Sequence, residues 1–99
     1  MNDVVVRDDP GAQRYVARLD GRVAGFVAYE TDDGLVMLTH TEVDPGFEGR
    51  GVGSALVRAA LDEIRDSGRQ VVPLCPFVKA WIGRNPTYAS LVHQGTTSA

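Results

Sequence analysis

The sequence is poor in the residues that several classes of protein require. Its one cysteine, Cys75, excludes an internal disulfide and a multi-cysteine metal site, and is typical of a reducing cytoplasm. No apolar stretch is long enough to cross a membrane, and the N-terminus lacks the basic and apolar pattern of a signal peptide. The sequence therefore predicts a cytoplasmic protein with no metal and no membrane partner.

Basic residues are also scarce, with 10 Lys and Arg against 13 Asp and Glu and a net charge of −3. A nucleic-acid-binding domain is expected to be basic, so we predict no nucleic-acid partner. The charge is unevenly divided, with −6 over residues 1–49 and +3 over residues 50–99. This division suits an anionic cofactor on the second half and a cationic acceptor on the first, although solvated surface charge explains it equally well.

The clearest motif is a glycine-rich run between an extended apolar stretch and an amphipathic helical pattern. A helix that begins at such a turn has N–H groups without partners, and its dipole adds positive potential there. Glycines without Cβ atoms also let a phosphate approach the backbone. The alternative is an ordinary surface turn. The predicted phosphate site comprises Gly51, Val52, Gly53, Ser54 and Ala55.

Common nucleotide-binding loops do not fit this run. A P-loop needs a lysine after its glycines, and the only lysine is Lys79. A dinucleotide-binding loop needs a third glycine where this sequence has Ser54 or Leu56. The pattern that fits is Gln or Arg, two residues, Gly, one residue, then Gly or Ala, with Arg50 in the first position. It resembles the pyrophosphate loop of the GNAT acetyltransferase superfamily.

The periodicity of apolar residues predicts a mixed α/β (α+β) fold. Strand patterns cover residues 4–6, 15–19, 23–29 and 35–43, of which the last is the longest, and turns are predicted at Asp20-Gly21 and over residues 31–34. A long helix from residue 52 to about 66, which Ser67-Gly68 is expected to end, a strand at 71–74 and short C-terminal helices follow. An antiparallel meander leading into one βαβ unit, with about five strands, is expected. We predict one domain over residues 1–92 and a disordered tail at 93–99.

Further segments strengthen the resemblance. His40 to Val43, the glycine loop, Val72 to Val78 with its Cys-Pro-Phe-Val run, and Arg84 to Tyr88 occur in one order. In this order they look like the small single-domain branch of GNAT proteins, over about residues 4–92. The resemblance implies acetyl-CoA as co-substrate and a slot between residues 35–43 and 71–74. Backbone groups of Thr41 to Val43 would bind the pantetheine arm.

The chain departs from the larger GNAT pattern on the acceptor side. Only eight residues separate Val6 from Tyr15, where typical members insert two helices, and the C-terminal strand pair is missing. The resulting open side suggests a macromolecular substrate, such as a protein amine, or a wall supplied by a second subunit. A monomer and a homodimer are both compatible with the sequence.

Four residues are candidates for catalysis. His40 and Glu42 are two apart on one strand, so both face the same side, and a histidine can accept the amine proton. Cys75 precedes a helical stretch, where a thiol has a lowered pKa and is a better nucleophile. By the resemblance, Tyr88 would protonate the leaving thiolate. Each has a structural alternative, namely a hydrogen-bonding histidine, a buried small thiol or a packed tyrosine.

The predicted function is transfer of acetyl from acetyl-CoA to an unidentified amine, by direct attack or through Cys75. Arg84 would contact a phosphate of coenzyme A or remain a solvated cation. Phe77, Trp81 and Ile82 are expected to dock their helix on the sheet. The alternative function is a coenzyme A-binding regulatory or interaction module with little turnover.

Overall fold

A five-stranded sheet, whose strand order follows the chain, forms the framework of the computed structural model, which describes residues 3–94. The first four strands are antiparallel, and the fifth runs parallel to the fourth. This confirms the predicted mixed sheet of five strands. The strands are β1 (Val4–Asp9), β2 (Arg14–Leu19), β3 (Arg22–Asp32), β4 (Leu35–Val43) and β5 (Gln70–Pro73).

Two tight turns join the central strands. Asp20 and Gly21, like Asp33 and Gly34, have positive φ angles, which suit the right-handed twist of a two-residue hairpin. β3 has 11 residues and is longer than β4, which has nine. The prediction that residues 35–43 form the longest strand is therefore wrong. Residues 31 and 32, predicted to be part of the turn, pair with β4 instead.

Two helices follow the meander. The helix α1 (Val52–Asp66) connects β4 to β5, and α2 (Pro76–Arg84) follows β5. Gly68, with φ of 78°, ends α1 as the sequence predicts. Short 3-10 helices occupy Pro45–Phe47 and Pro86–Leu91. None of the helices among residues 3–94 is long and apolar enough to span a membrane.

The core lies on one face of the sheet, beneath α1 and α2. Alternate strand residues such as Tyr15, Val27 and Leu38 are buried there against Leu56 and Ile64 of α1. Strand positions that point the other way are at least partly exposed in the described chain, and Val5 is 46% exposed. The sheet thus has one covered face and one open face.

The end of the described chain lies against β5. Val92 forms a bridge with Val71, and the His93 N–H donates to the Val71 carbonyl at 2.9 Å. The tail predicted for residues 93–99 therefore begins within the described chain, and residues 95–99 lie outside it. The predicted domain boundary at residue 92 stays a prediction.

Gly25 permits the close approach of β3 to β4, so Gly25→Ala is expected to destabilise the fold. A Cβ at this position would overlap the Glu42 carbonyl oxygen and lie 3.1 Å from the Val43 Cα. We expect the free energy of unfolding to fall by about 2 kcal/mol or more, because backbone atoms must move. Urea denaturation followed by circular dichroism measures it.

Gly83→Ala is the matched control. Gly83 lies in α2, and its added methyl group would meet no atom within 4 Å. Alanine favours helix over glycine by up to about 1 kcal/mol, so stability should stay equal or rise. A Gly25→Ala variant as stable as the wild type would show that the contact between β3 and β4 does not require glycine at this position.

Candidate functional site

The strands β4 and β5 part before β4 ends. Their last paired residues are Leu38 and Pro73, because proline has no N–H with which to continue the ladder. The Cys75 N–H then donates to the Leu38 carbonyl at 2.9 Å, and the chain turns into α2. Beyond that point, this edge of β4 faces no strand in the described structure as far as Val43. The separation of β4 from β5 opens a slot. Along this slot, the β4 backbone groups have no partner strand in the described residues.

The glycine loop stands beside this slot, at the start of α1. Gly49 and Gly51 have φ angles of 76° and 78°, a conformation that a Cβ disfavours. The Ala55 N–H is the first of the helix to be bonded, to the Gly51 carbonyl at 3.0 Å. Within residues 3–94, the N–H groups at positions 52–54 have no protein acceptor. The alternative of an ordinary turn with internally bonded amides is thus disfavoured, and the loop fits an anion.

A surface cavity of about 190 Å³ connects the loop to the end of β4. Phe77, on the first turn of α2, forms one side of it and is 41% exposed. A Cβ at Gly53 would lie 2.8 Å from the Phe77 ring, so the ring packs here only because position 53 has no side chain. The cavity is lined by Val43, Phe47, Glu48, Gly49, Gly51, Val52, Gly53, Ser54 and Phe77.

The docking role predicted for the apolar residues of α2 is correct for two of them. Trp81 and Ile82 are buried, whereas Phe77 points at the glycine loop. The Trp81 Nε1 also donates to the Ser54 Oγ at 2.8 Å, which ties α2 to the first turn of α1. The sequence indicated only the backbone of Ser54 as functional, since no local pattern links residues 27 apart.

Cys75 is 4% exposed and precedes the first residue of α2. Its Sγ lies 3.4 Å from the Thr41 Oγ1 on the free part of β4. Burial raises the pKa of the Cys75 thiol. Hydrogen bonds with the Thr41 hydroxyl and with backbone N–H groups of Val78, Phe77 and Thr41 lower it by more. The net result is a lowered pKa, which favours the thiolate. The part played by the Thr41 side chain was missed in the sequence.

His40 and Glu42 form a pair on the opposite side of β4. The His40 Nε2 lies 2.9 Å from the Glu42 Oε2, and both side chains are 58% exposed. Because side chains alternate along a strand, this pair projects from the open face while Thr41 projects toward Cys75. The candidate base and the candidate nucleophile are therefore separated by the β4 backbone.

The remaining candidates lie apart from both groups. The Tyr88 hydroxyl donates to the Asp62 Oδ1 at 2.7 Å, and its ring lies 5.3 Å from the ring of Trp81. Asp62 is ten residues into α1, roughly 15 Å along the helix from its start. Arg50 and Arg84 are exposed and form no ion pair within residues 3–94. In the described residues no three side chains are grouped as metal ligands.

Comparison with known sequences shows that this chain is similar to N-acetyltransferases. The sequence pattern of the GCN5-related N-acetyl-transferase family matches residues 14–91. The protein NATD1 of Gallus gallus is 28% identical over 92 residues, covering 91% of this chain and 84% of that protein. An uncharacterised N-acetyltransferase of Methanocaldococcus jannaschii is 31% identical over 84 residues, covering 78% of this chain. The chain spans only 34% of the length of that archaeal protein.

Solved structures share the fold. A GCN5-like protein of Staphylococcus aureus has a TM-score of 0.71 over 97% of this chain and 94% of its own, at 17% identity. A GNAT-family acetyltransferase of Brucella melitensis, solved in complex with acetyl-CoA, has a TM-score of 0.52 at 27% identity. That similarity covers 65% of this chain and 49% of the Brucella protein.

Thr41→Val is expected to raise the pKa of Cys75, because it removes the hydroxyl nearest the sulfur and leaves the burial unchanged. The ultraviolet absorbance of the thiolate, recorded against pH, measures this pKa. The spectrum of Cys75→Ala is subtracted at each pH so that tyrosine ionisation cancels.

Thr39→Val is the matched control on the same strand, since the Thr39 hydroxyl donates to the Ala28 carbonyl at 3.2 Å and not to the sulfur. Its titration should match that of the wild type. Equal titration curves for Thr41→Val and the wild type would show that the hydroxyl does not act on the thiol.

Proposed function

Because this chain belongs to the GCN5-related N-acetyltransferase family, we propose that it transfers an acetyl group from acetyl-CoA to an amine. The observation that carries the proposal is the line of unbonded N–H groups at the start of α1, beside the free edge of β4. A cytoplasmic location is part of the proposal, since a chain with one cysteine is typical of a reducing compartment.

The co-substrate is proposed to lie along the slot. Its pyrophosphate would accept hydrogen bonds from the N–H groups of Val52 to Ser54, where the dipole of α1 favours negative charge. The exposed side chains of Arg50 and Arg84 would meet its phosphates. The pantetheine amides would pair with the backbone of Thr41 to Val43, as an added strand pairs with a sheet edge.

Direct attack from the open face is the route that the exposure of the side chains supports. The amine nitrogen bonds to the thioester carbonyl carbon, the carbon–sulfur bond breaks, and the thiolate of coenzyme A departs. His40 accepts the proton that the nitrogen loses, and Glu42 orients the imidazole through their 2.9 Å contact. Overall, the amine loses one proton and the thiolate gains one.

A second route is favoured by the lowered pKa of Cys75. The Cys75 thiolate bonds to the acetyl carbonyl carbon and coenzyme A leaves. The amine then attacks the acetyl-cysteine, forms the amide and regenerates the Cys75 thiolate, and the proton that the nitrogen loses ends on the thiolate of coenzyme A. This route requires the amine to reach a sulfur that is 4% exposed, whereas His40 and Glu42 lie in the open. We therefore favour direct attack.

His40→Gln is expected to lower kcat by about 100-fold and to leave the affinity for acetyl-CoA unchanged, because the proton loses its acceptor. Cys75→Ala should keep most of the activity. Coenzyme A release and the masses of the products are measured with a mixture of lysine peptides and free amino acids, beside the intact mass of the protein.

The routes give different results in this experiment. A stoichiometric acetyl adduct that is absent from Cys75→Ala and disappears when amine is added would replace direct attack by the cysteine route. Acetyl-CoA that protects the fold against heat without forming any product would support the binding module instead. The absence of both thermal protection and product would overturn the acetyl-CoA proposal.

Gly53→Ala is expected to weaken acetyl-CoA binding about tenfold, because the added methyl group displaces the Phe77 ring that lines the cavity. Isothermal titration calorimetry measures the dissociation constant. Gly46→Ala is the control, since a Cβ there meets no atom within 4 Å. Equal affinity in all three proteins would show that the cavity lies outside the binding site.

A further inference from the structure

The outer edge of β1 has no partner strand in the described structure. β1 is the first strand of the sheet, and among residues 3–94 it pairs with β2 alone. The opposite edge, that of β5, is partly covered, because Val92 bridges Val71 and the His93 N–H donates to the Val71 carbonyl. The chain thus covers part of one edge with its own later residues and leaves the backbone groups of the other edge open to pairing.

β1 lacks most of the features that keep the edges of two sheets apart. Lysine, proline and bulges are common protections of edge strands. The six residues of β1 include neither lysine nor proline, and their register with β2 is unbroken, whereas the β2–β3 and β3–β4 pairs each contain a shift. Charged side chains occupy only its second half. In the first half, Val5 is 46% exposed, and Val4 and Val6 are partly buried at the margin of the core.

The sequence around Val5 is complementary to itself when two copies run antiparallel. With a two-fold axis at Val5, this residue faces Val5 of the second copy, and Val4 faces Val6. Asp3 of each copy then lies opposite Arg7 of the other. Opposite charges that face each other directly across two strands stabilise the pairing. Asp3 and Arg7 form no ion pair within the described residues, so both side chains are available.

Other registers of the same pairing are less favourable. A two-fold axis perpendicular to the sheet keeps both open faces on one side, so only residues that face the same way can be opposed. An axis at Val6 would place Val5 opposite Arg7, and an axis at Arg7 would place two arginines face to face. An axis at Val4 would place Asp3 opposite Val5. Among these, the axis at Val5 alone matches apolar with apolar residues and acid with base.

We propose that two copies of this chain associate through β1, in antiparallel order and with Val5 at the two-fold axis. The two sheets join into one sheet of ten strands, five from each copy. The interface is isologous, since each contact occurs twice. The slot beside β4 lies three strands from β1, about 14 Å away, so the second copy leaves it open. The association therefore does not depend on the proposed acetyl transfer.

Sedimentation velocity over a series of protein concentrations, without acetyl-CoA, measures the association. The wild type should change from monomer to dimer as the concentration rises. Arg7→Glu opposes two acidic side chains, and Asp3→Arg opposes two basic ones, each at two places in the dimer. Either variant alone should therefore associate about tenfold more weakly or less. Arg69→Glu is the control with the same change of charge, since Arg69 follows α1 and contacts Ser67.

A mixture of the two variants tests the register itself. In a mixed pair, position 3 of Asp3→Arg faces position 7 of Arg7→Glu, and both contacts again join opposite charges. The equimolar mixture should associate about as strongly as the wild type, although neither variant does so alone. The double variant Asp3→Arg/Arg7→Glu should also recover. Circular dichroism of each variant checks that the fold is retained.

A disulfide tests the position of the axis. Directly opposed residues in an antiparallel pair have Cβ atoms about 4.5 to 5.5 Å apart, which a small adjustment brings within reach of a disulfide. Val5→Cys, combined with Cys75→Ala, should therefore form a covalent dimer when diamide oxidises the two thiols. Val23→Cys on the same background is the control, because Val23 is 43% exposed but lies on β3. It should remain monomeric on non-reducing electrophoresis.

Three results would overturn the proposal. A wild type that stays monomeric at every concentration up to about 1 mM would show that the edge of β1 does not pair. A dimer that neither charge reversal weakens would be assigned to another surface, such as the open face of the sheet. Weakening by both reversals, without recovery in the mixture or in the double variant, would reject the register with Val5 at the axis.

Discussion

The parting of β4 from β5 is the constraint on which the rest of the site depends. Pro73 ends the ladder opposite Leu38, and the Cys75 N–H closes the junction by donating to the Leu38 carbonyl. If the two strands stayed paired, β5 would occupy the backbone groups of β4 up to Val43. The same short segment brings the thiol to Thr41 and sets where α2 begins. One interrupted ladder therefore provides a free edge, a placed thiol and a helix start.

The alternation of side chains along β4 divides the candidate chemistry between two compartments. Thr41 and Val43 face the covered side, where Cys75 and the first cavity lie. His40 and Glu42 face the open side, where a macromolecule can approach. A group held in the slot would be next to both sides. Under the proposed function, this arrangement would let a small chain hold acetyl-CoA on one face and receive the amine on the other.

The sequence predicted most of what is local and little of what is not. The glycine loop, the Asp-Gly turns and the end of α1 follow from backbone preferences within a few residues, and all were predicted. The contact of Thr41 with Cys75 joins residues 34 apart, so no spacing rule indicates it. The direction of Phe77 depends on the absence of a side chain at Gly53 of another helix. Contacts between such distant residues form only when the helices and strands pack together.

The sequence also could not predict which face of the sheet carries the arginines, and their position bears on which acceptor can bind. The acidic first half of the sequence suggested a cationic acceptor, but a sum over residues does not say which face each side chain takes. Pairing of β1 with β2 places Arg7, Arg14 and Arg18 on the open face together with Asp9, while Glu42 stays beside His40. A face without walls cannot select a substrate by enclosing it. What such a face offers an acceptor is charged side chains at fixed spacing, because neighbouring strands are about 4.8 Å apart.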